Sequence, residues 1–178
     1  MLEGKLVNLR VQEKEDLPLV AEWINNPSFG GEYENLHVMS RTELEKRYEN
    51  PNPDEKWFMI EKKDGTKIGN IGHFTPGRLW EIGYSLIPSE RGKGYGTEAA
   101  KIMVDYLFLS KDIVRIQART IIGNKVSQRV LEKVGFKKEG TMRKSYFARG
   151  EWKDTYLFSI LREEWKEPKI LTKTVPQK

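Results

Sequence analysis

The chain has 178 residues, of which 38% are hydrophobic and 32% charged, with no cysteine and a formal net charge of +5 at pH 7. This length and balance predict one soluble domain with its own core, and the lack of cysteine excludes disulfides, thiolate nucleophiles and cysteine-ligated zinc. No apolar run approaches the roughly 18 residues that a membrane span needs, and no signal peptide opens the chain, so we expect a cytoplasmic protein.

Hydrophobic periodicity and turn residues predict an alternation of strands and helices. Predicted strands cover residues 6–11, 56–62, 66–74, 80–87 and 114–120, and a final hairpin covers 136–147 and 152–161. Predicted helices cover residues 17–24, 41–48, 97–109 and 125–134. Residues 28–38 show no clear period. We therefore expect a single α+β domain over residues 1–165, with a central, mostly antiparallel mixed sheet flanked by helices, and a flexible polar tail over 166–178.

The central motif is Arg91-Gly92-Lys93-Gly94-Tyr95-Gly96, between a predicted strand and a predicted helix. Its glycines let backbone N–H groups crowd together, and the helix that follows directs unpaired N–H groups and the positive end of its dipole into the loop. Arg91 and Lys93 add positive charge. These features predict a pyrophosphate site, although a loop that only turns a tight corner is the alternative. The spacing matches neither a Walker A loop nor a Rossmann fingerprint.

Metal chemistry and serine-hydrolase chemistry have little support. The two histidines, His37 and His73, are far apart in the sequence and form no ligand spacing. No Gly-x-Ser-x-Gly segment is present. We expect no metal site.

The glycine loop resembles the acyl-coenzyme A motif of the GNAT superfamily of N-acetyltransferases. Three further segments resemble the branch with the ribosomal-protein N-terminal acetyltransferases of the RimJ and RimL type. They are residues 6–27 with Leu9-Arg10, Asp16-Leu17, Trp23 and Asn26-Pro27, the Asn-x-x-Ser…Gly-Phe element from Asn124 to Phe136, and a closing hairpin with Glu139-Gly140-Thr141-Met142-Arg143, Gly150 and Asp154. The resemblance implies a GNAT fold and acetyl transfer from acetyl-coenzyme A to a primary amine, foremost a protein or peptide N-terminus.

The resemblance also implies how acetyl-coenzyme A would bind. Its pyrophosphate would lie on Arg91, Gly92, Lys93, Gly94, Tyr95 and Gly96. Its pantetheine arm would pair with the strand end at Leu86 and Ile87 like an added strand, and an amide near Leu86 would hold the thioester oxygen. Asn124 would bond the arm unless it serves only as a helix cap. Lys133 or Lys101 would meet the 3′-phosphate.

The catalytic residues are expected around the same arm. Ser127 would donate to the departing sulfur, the alternative being an ordinary residue of a first helical turn. Tyr146 stands where ribosomal-protein members of the branch carry a carboxylate, and we include it among the catalytic candidates. Glu81 is the first choice for a base acting through water, with an exposed strand carboxylate as the alternative. Tyr84 lies on the opposite face of that strand and is more typical of a core residue.

The acceptor is expected between residues 17–48 and the final hairpin. The aromatic candidates for shaping this cleft are Trp23, Phe29, Tyr33 and Trp57, and the acids that could attract an amine are Glu32 and Glu34. Polyamine and aminoglycoside acceptors stay open, as does a catalytically silent acyl-coenzyme A-binding module. We expect no membrane partner and no direct contact with nucleic acid. Unpaired strand edges in the final hairpin suggest a homodimer.

Overall fold

The computed structural model describes residues 1–166, 168 and 170. Eight strands form one sheet in the order β1-β2-β3-β4-β5-β6-β8-β7. The strands are β1 (Leu2–Glu3), β2 (Val7–Val11), β3 (Glu55–Lys62), β4 (Lys67–Phe74), β5 (Trp80–Leu86), β6 (Arg115–Ile121), β7 (Lys137–Ala148) and β8 (Glu151–Leu161). The helices are α1 (Leu17–Asn25), α2 (Pro27–Gly30), α3 (Arg41–Glu49), α4 (Tyr95–Ser110) and α5 (Lys125–Val134).

The sheet opens in its middle. All neighbouring strands are antiparallel except β5 and β6, which are parallel and pair only at Trp80 with Ile116 and at Glu81 with Gln117. Beyond this point β5 stays beside β4 as far as Leu86, and β6 stays beside β8. The two strands therefore separate, and we call the gap between them the wedge. The predicted mostly antiparallel mixed sheet is confirmed.

Helix α4 covers one face of the sheet. Its side chains at Ala99, Ile102, Met103 and Leu107 are fully buried and pack into the main core of the sheet. This is the stripe at i, i+3, i+4 and i+8 that the helical period predicts. Each buried large aliphatic side chain contributes about 1.5–3 kcal/mol, so α4 and the loop before it are held firmly on the sheet.

Helices α1, α2 and α3 cover the opposite face with a second, smaller core. Leu17 and Val20 of α1 pack with Leu44 of α3 in this cluster. Trp23 stacks on Phe29 with ring centroids 5.1 Å apart. The sheet is thus sandwiched between helices.

A buried ion pair joins the start of α1 to the sheet. Asp16 is only 1% exposed and accepts hydrogen bonds from Arg10 at 2.9 and 3.0 Å and from Lys67 at 2.5 Å. Burial alone would raise the pKa of Asp16, but the bonds from Arg10 and Lys67 outweigh it and hold this pKa at about 2. The motif residues Arg10 and Asp16 therefore serve the fold.

The structure adds elements that the sequence did not indicate. Helix α2 begins at Pro27, just beyond the predicted helix over residues 17–24, and the Asn26 side chain accepts from Ser28 N at 3.0 Å. At the predicted domain boundary Trp165 Nε1 donates to the Asp105 carboxylate at 2.8 Å, and beyond it Ile170 N donates to the same carboxylate at 3.0 Å. Most of the predicted tail lies outside the described residues. In the described part of the chain, the helices are all too short or too polar to cross a membrane.

Candidate active site

The glycine loop presents a row of backbone N–H groups at the start of α4. Gly92 and Gly94 have φ values of 76° and 89°, a conformation that residues with a Cβ rarely adopt. The first turn of an α-helix leaves its N–H groups without carbonyl partners, and here the bond from Glu98 N to Gly94 O at 3.1 Å begins the helical ladder. The amides from Gly92 to Gly96 are therefore placed to receive an anion.

Glu98, in the first turn of α4, ties this loop to the beginning of the chain. Its carboxylate accepts hydrogen bonds from Lys5 N at 3.0 Å, Leu6 N at 2.6 Å and Val7 N at 2.7 Å. Sequence reasoning missed this contact. The only available signal was an acid placed soon after a glycine loop, which is also common on solvated helix faces.

The edge of β5 offers backbone groups to the wedge. Ile87 N donates to Ile68 O at 2.9 Å, so its N–H is used by the sheet. Because successive residues of a strand direct their polar groups to opposite sides, the N–H groups of Leu86 and Tyr84 point towards the wedge. The geometry therefore favours Leu86 over Ile87 as a donor to a bound arm.

Ser127 and Tyr84 meet at the wedge. Their hydroxyl oxygens lie 3.2 Å apart, joining β5 to the first turn of α5. Burial raises the pKa of Tyr84 to about 12, so its phenol stays protonated at neutral pH. Asn124 caps α5 by accepting from Ser127 N at 3.0 Å. The cap uses the carbonyl oxygen of the Asn124 side chain and does not require its NH₂ group.

Glu81 lies on the face opposite Tyr84 and is 4% exposed. Its carboxylate accepts from Arg119 Nε at 2.9 Å and from Gln117 Nε2 at 3.0 Å. Both oxygens are thus engaged by neighbours on β6. Glu81 therefore holds the Arg119 side chain beside the wedge. This geometry does not support the predicted role of Glu81 as a base.

Tyr146, on β7, reaches the irregular segment after α2. Its hydroxyl donates to Glu34 Oε2 at 2.6 Å. Burial, and then the Glu34 carboxylate, raise the pKa of Tyr146, so the phenol is a proton donor at neutral pH. Sequence reasoning named both residues but not their contact, because residues 28–38 have no readable period.

The two positively charged side chains of the glycine loop bind other groups of the protein. The Arg91 guanidinium donates to Leu86 O at 3.0 Å, Ser28 O at 3.1 Å and Phe29 O at 2.5 Å. Lys93 Nζ lies 3.1 Å from the Glu90 carboxylate and is exposed to solvent. The predicted 3′-phosphate partners are an exposed Lys133 on α5 and a half-buried Lys101 on α4.

A cleft of about 440 Å³ lies at the far end of β6. Its walls are formed by Glu32, Tyr33, Ile121, Ile122, Gly123, Lys153 and Asp154. Of the aromatic candidates, Tyr33 lines this cleft, whereas Trp23 and Phe29 stack on each other and Trp57 packs over Gly72. Within the described residues, no three metal-binding side chains come together.

The open wedge in a mixed sheet, with a glycine loop and a helix start at its edge, is the candidate site for an anionic cofactor. Residues 7–137 match the family description "Acetyltransferase (GNAT) domain". The chain belongs to the GNAT acetyltransferase family, and it is an acetyl-coenzyme A-dependent N-acetyltransferase with the GNAT fold.

Relatives and solved structures agree with this assignment. The chain is 32% identical to YjcK of Bacillus subtilis, named a probable N-acetyltransferase, over 92% of this chain and 98% of that one. It is 27% identical to B. subtilis YdaF, provisionally named a ribosomal N-acetyltransferase, over 93% and 88%. It is 28% identical to the Escherichia coli spermidine N(1)-acetyltransferase over 89% and 88%. A GNAT-family acetyltransferase structure from Bacillus anthracis superposes with a TM-score of 0.78 at 28% identity, over 92% and 100%.

Proposed function

We propose that this enzyme transfers acetyl from acetyl-coenzyme A, bound in the wedge, to a primary amine that is drawn as its ammonium ion to the cleft beside Glu32 and Asp154 and attacks after it has lost that proton. The observation that carries the proposal is the wedge itself. The amides of the glycine loop lie at its outer edge, and the paired hydroxyls of Ser127 and Tyr84 lie beside its interior.

The residues present fit the cofactor at three points. Gly92 to Gly96 offer amides and the positive end of α4 to a pyrophosphate. The N–H groups of Leu86 and Tyr84 face the wedge and can pair with an amide-bearing arm as an added strand would. Asn124 NH₂ lies at the start of α5 as a further donor. Acetyl-coenzyme A, when bound, supplies the activated acyl group.

The reaction also requires proton transfer from the amine and to the departing sulfur. The ammonium first gives one proton to solvent water, because only the neutral amine can attack. A carbon–nitrogen bond then forms at the acyl carbon while the carbon–sulfur bond breaks, and the second proton that the nitrogen loses balances the one that the sulfur gains. Ser127 is the proposed donor to the sulfur, and Tyr84 can resupply its proton because the two oxygens are 3.2 Å apart. Tyr146, which we retain as a candidate, acts on the acceptor side through its bond to Glu34.

The acceptor is proposed to be a cationic amine. Glu32 and Asp154 line the cleft and Glu34 lies nearby on the same segment, so an ammonium group is attracted before it loses its proton. Spermidine-type polyamines and the N-terminus of a peptide both fit this description. The relatives named for spermidine and for ribosomal acetylation support the two alternatives about equally.

The experiment is a thiol-release assay with acetyl-coenzyme A against matched acceptors. Spermidine is compared with N(1),N(8)-diacetylspermidine, which has no primary amine, and short lysine-free peptides with a free N-terminus are compared with the same peptides N-acetylated. Turnover on a free amine that disappears on its blocked counterpart supports the proposal and identifies the acceptor class. Tight coenzyme A binding without turnover on any amine would instead favour a silent acyl-coenzyme A-binding module.

A further inference from the structure

Arg91 connects two parts of the molecule that sequence reasoning treated separately. Its Nε donates to Leu86 O at the end of β5, beside the wedge. Its Nη2 donates to Ser28 O and Phe29 O in α2. The side chain predicted to hold pyrophosphate is therefore directed at backbone carbonyls, and it joins the cofactor loop to the acceptor side.

A second arginine holds the same part of the chain from the opposite direction. Arg149, at the β7–β8 turn, donates through Nη2 to Pro27 O at 3.2 Å and Gly31 O at 2.8 Å, and through Nε to Glu34 O at 3.1 Å. The φ of Arg149 is 53°, a left-handed conformation that non-glycine residues rarely adopt without compensating contacts. Five carbonyls between residues 27 and 34 thus accept from two arginines.

We define residues 27–34 as the bridging segment. It carries Glu32 and Tyr33, which form one wall of the cleft, and Glu34, which binds the Tyr146 hydroxyl. It contains one turn of helix and otherwise lacks regular structure, so the two arginines supply much of what fixes its position. Any movement of Arg91 would change the cleft wall directly.

We propose that Arg91 and Arg149 are positioning residues for the acceptor cleft, and that Arg91 transmits cofactor binding to that cleft. Cofactor binding at the glycine loop restrains Arg91, which in turn restrains the bridging segment. The bonds that already hold the segment are then tightened when the cofactor is present, and the acceptor carboxylates become more rigid. This inference rests on the proposed function, since it assumes that the glycine loop binds coenzyme A.

The alternative is that the Arg91 guanidinium is a phosphate ligand. The two roles predict different responses to Arg91→Lys. A phosphate contact is largely preserved by the lysine charge, whereas lysine cannot reproduce the planar fork that reaches Leu86, Ser28 and Phe29 together. Arg149→Ala tests the second arginine, and Arg143→Ala is its matched control because Arg143 is an exposed arginine on the same hairpin.

The experiment combines calorimetric titration of coenzyme A with hydrogen-exchange mass spectrometry, each on the full chain. In the wild type, saturating coenzyme A should slow exchange across residues 27–34 by about tenfold, within the usual range for coupling between two sites. Arg91→Lys and Arg91→Gln should retain coenzyme A affinity within about threefold and lose this protection. Arg149→Ala should exchange faster in the segment with or without coenzyme A, and Arg143→Ala should match the wild type.

One further control and the affinity of the wild type separate the possible failures. Lys93→Ala, which alters a loop cation that does not touch the segment, should weaken coenzyme A binding yet show full protection at saturation. A loss of affinity above tenfold in Arg91→Gln, which removes the charge that a phosphate contact needs, or protection that survives in both Arg91 variants, overturns the proposal. Coenzyme A binding to the wild type without protection of residues 27–34 overturns this proposal alone. No binding to the wild type overturns the proposed function as well.

Discussion

His73 is a buried histidine whose two ring nitrogens have no hydrogen-bond partner within the described part of the chain. Its ring lies 5.0 Å from that of Trp80 and 6.2 Å from that of Tyr106, measured between centroids. Burial lowers the pKa of His73 to about 4, and the charges of Lys111 and Lys56 act in the same direction. The imidazole therefore stays neutral in the folded protein at mildly acidic pH.

This pKa makes folding stability depend on pH with a defined sign. A histidine in the unfolded chain titrates near 6.5, so the unfolded state binds the proton first as the pH falls. The contribution of neutral His73 is fully present above that value and is lost progressively as the pH falls from 6.5 towards 4. Between pH 7 and pH 5 the loss is roughly 2 kcal/mol, which corresponds to a fall of about 4–8 °C in the unfolding temperature.

The test variant is His73→Leu, because a leucine side chain has a volume similar to that of histidine and does not titrate. Urea denaturation at pH 7, 6 and 5 gives the free energy of unfolding for each protein. We expect the wild type to lose about 2 kcal/mol more than the variant over this range. His37→Ala serves as the control because His37 is exposed, and it should follow the wild type. If His73→Leu and the wild type lose the same free energy of unfolding between pH 7 and pH 5, His73 is not the cause of this pH dependence.

Three further predictions concern the site and the fold. Gly94→Asp places a carboxylate at a residue with a φ of 89°, and coenzyme A affinity measured by calorimetry should fall at least about tenfold; unchanged affinity would contradict the pyrophosphate site. Ser127→Ala should lower kcat by about 10- to 100-fold with little change in the KM for acetyl-coenzyme A, and an unchanged kcat would remove Ser127 from the mechanism. Asp16→Asn should lower the free energy of unfolding at pH 7 by roughly 2 kcal/mol in urea titrations, because Arg10 and Lys67 lose their shared carboxylate. In the wild type this contribution should be lost as the pH falls from 3.8 to about 2.

Local pattern was enough to predict most of the elements. The capping box at Ser40 begins the polar helix α3, and the left-handed Gly135 ends α5, whose apolar period is clear. The alternation along β5 also holds, since Glu81 and Tyr84 point to opposite faces of the sheet. These features depend on residues close together in the sequence, which is why they could be read without a structure.

The site required information that periodicity does not contain. The order of the strands decides that β5 meets β6, and only that meeting brings Gln117 and Arg119 onto Glu81. In the same way, the strand pattern of β5 indicates that Tyr84 is a core residue, and only the position of α5 brings Ser127 to the Tyr84 hydroxyl. Helix α2 depends on long-range contacts from Arg91 and Arg149, and a four-residue helix has little stability of its own.

The clasp that Glu98 forms with Lys5, Leu6 and Val7 has a practical consequence for handling this enzyme. It fixes residues 5–7 against the first turn of α4, next to the glycine loop that we propose as the pyrophosphate site, although more than 90 residues separate the two in the chain. We expect that deleting these residues, or replacing them with a purification tag, lowers the affinity for coenzyme A before it lowers the solubility of the protein. Protein engineers who need a fusion point should therefore leave this end of the polypeptide untouched.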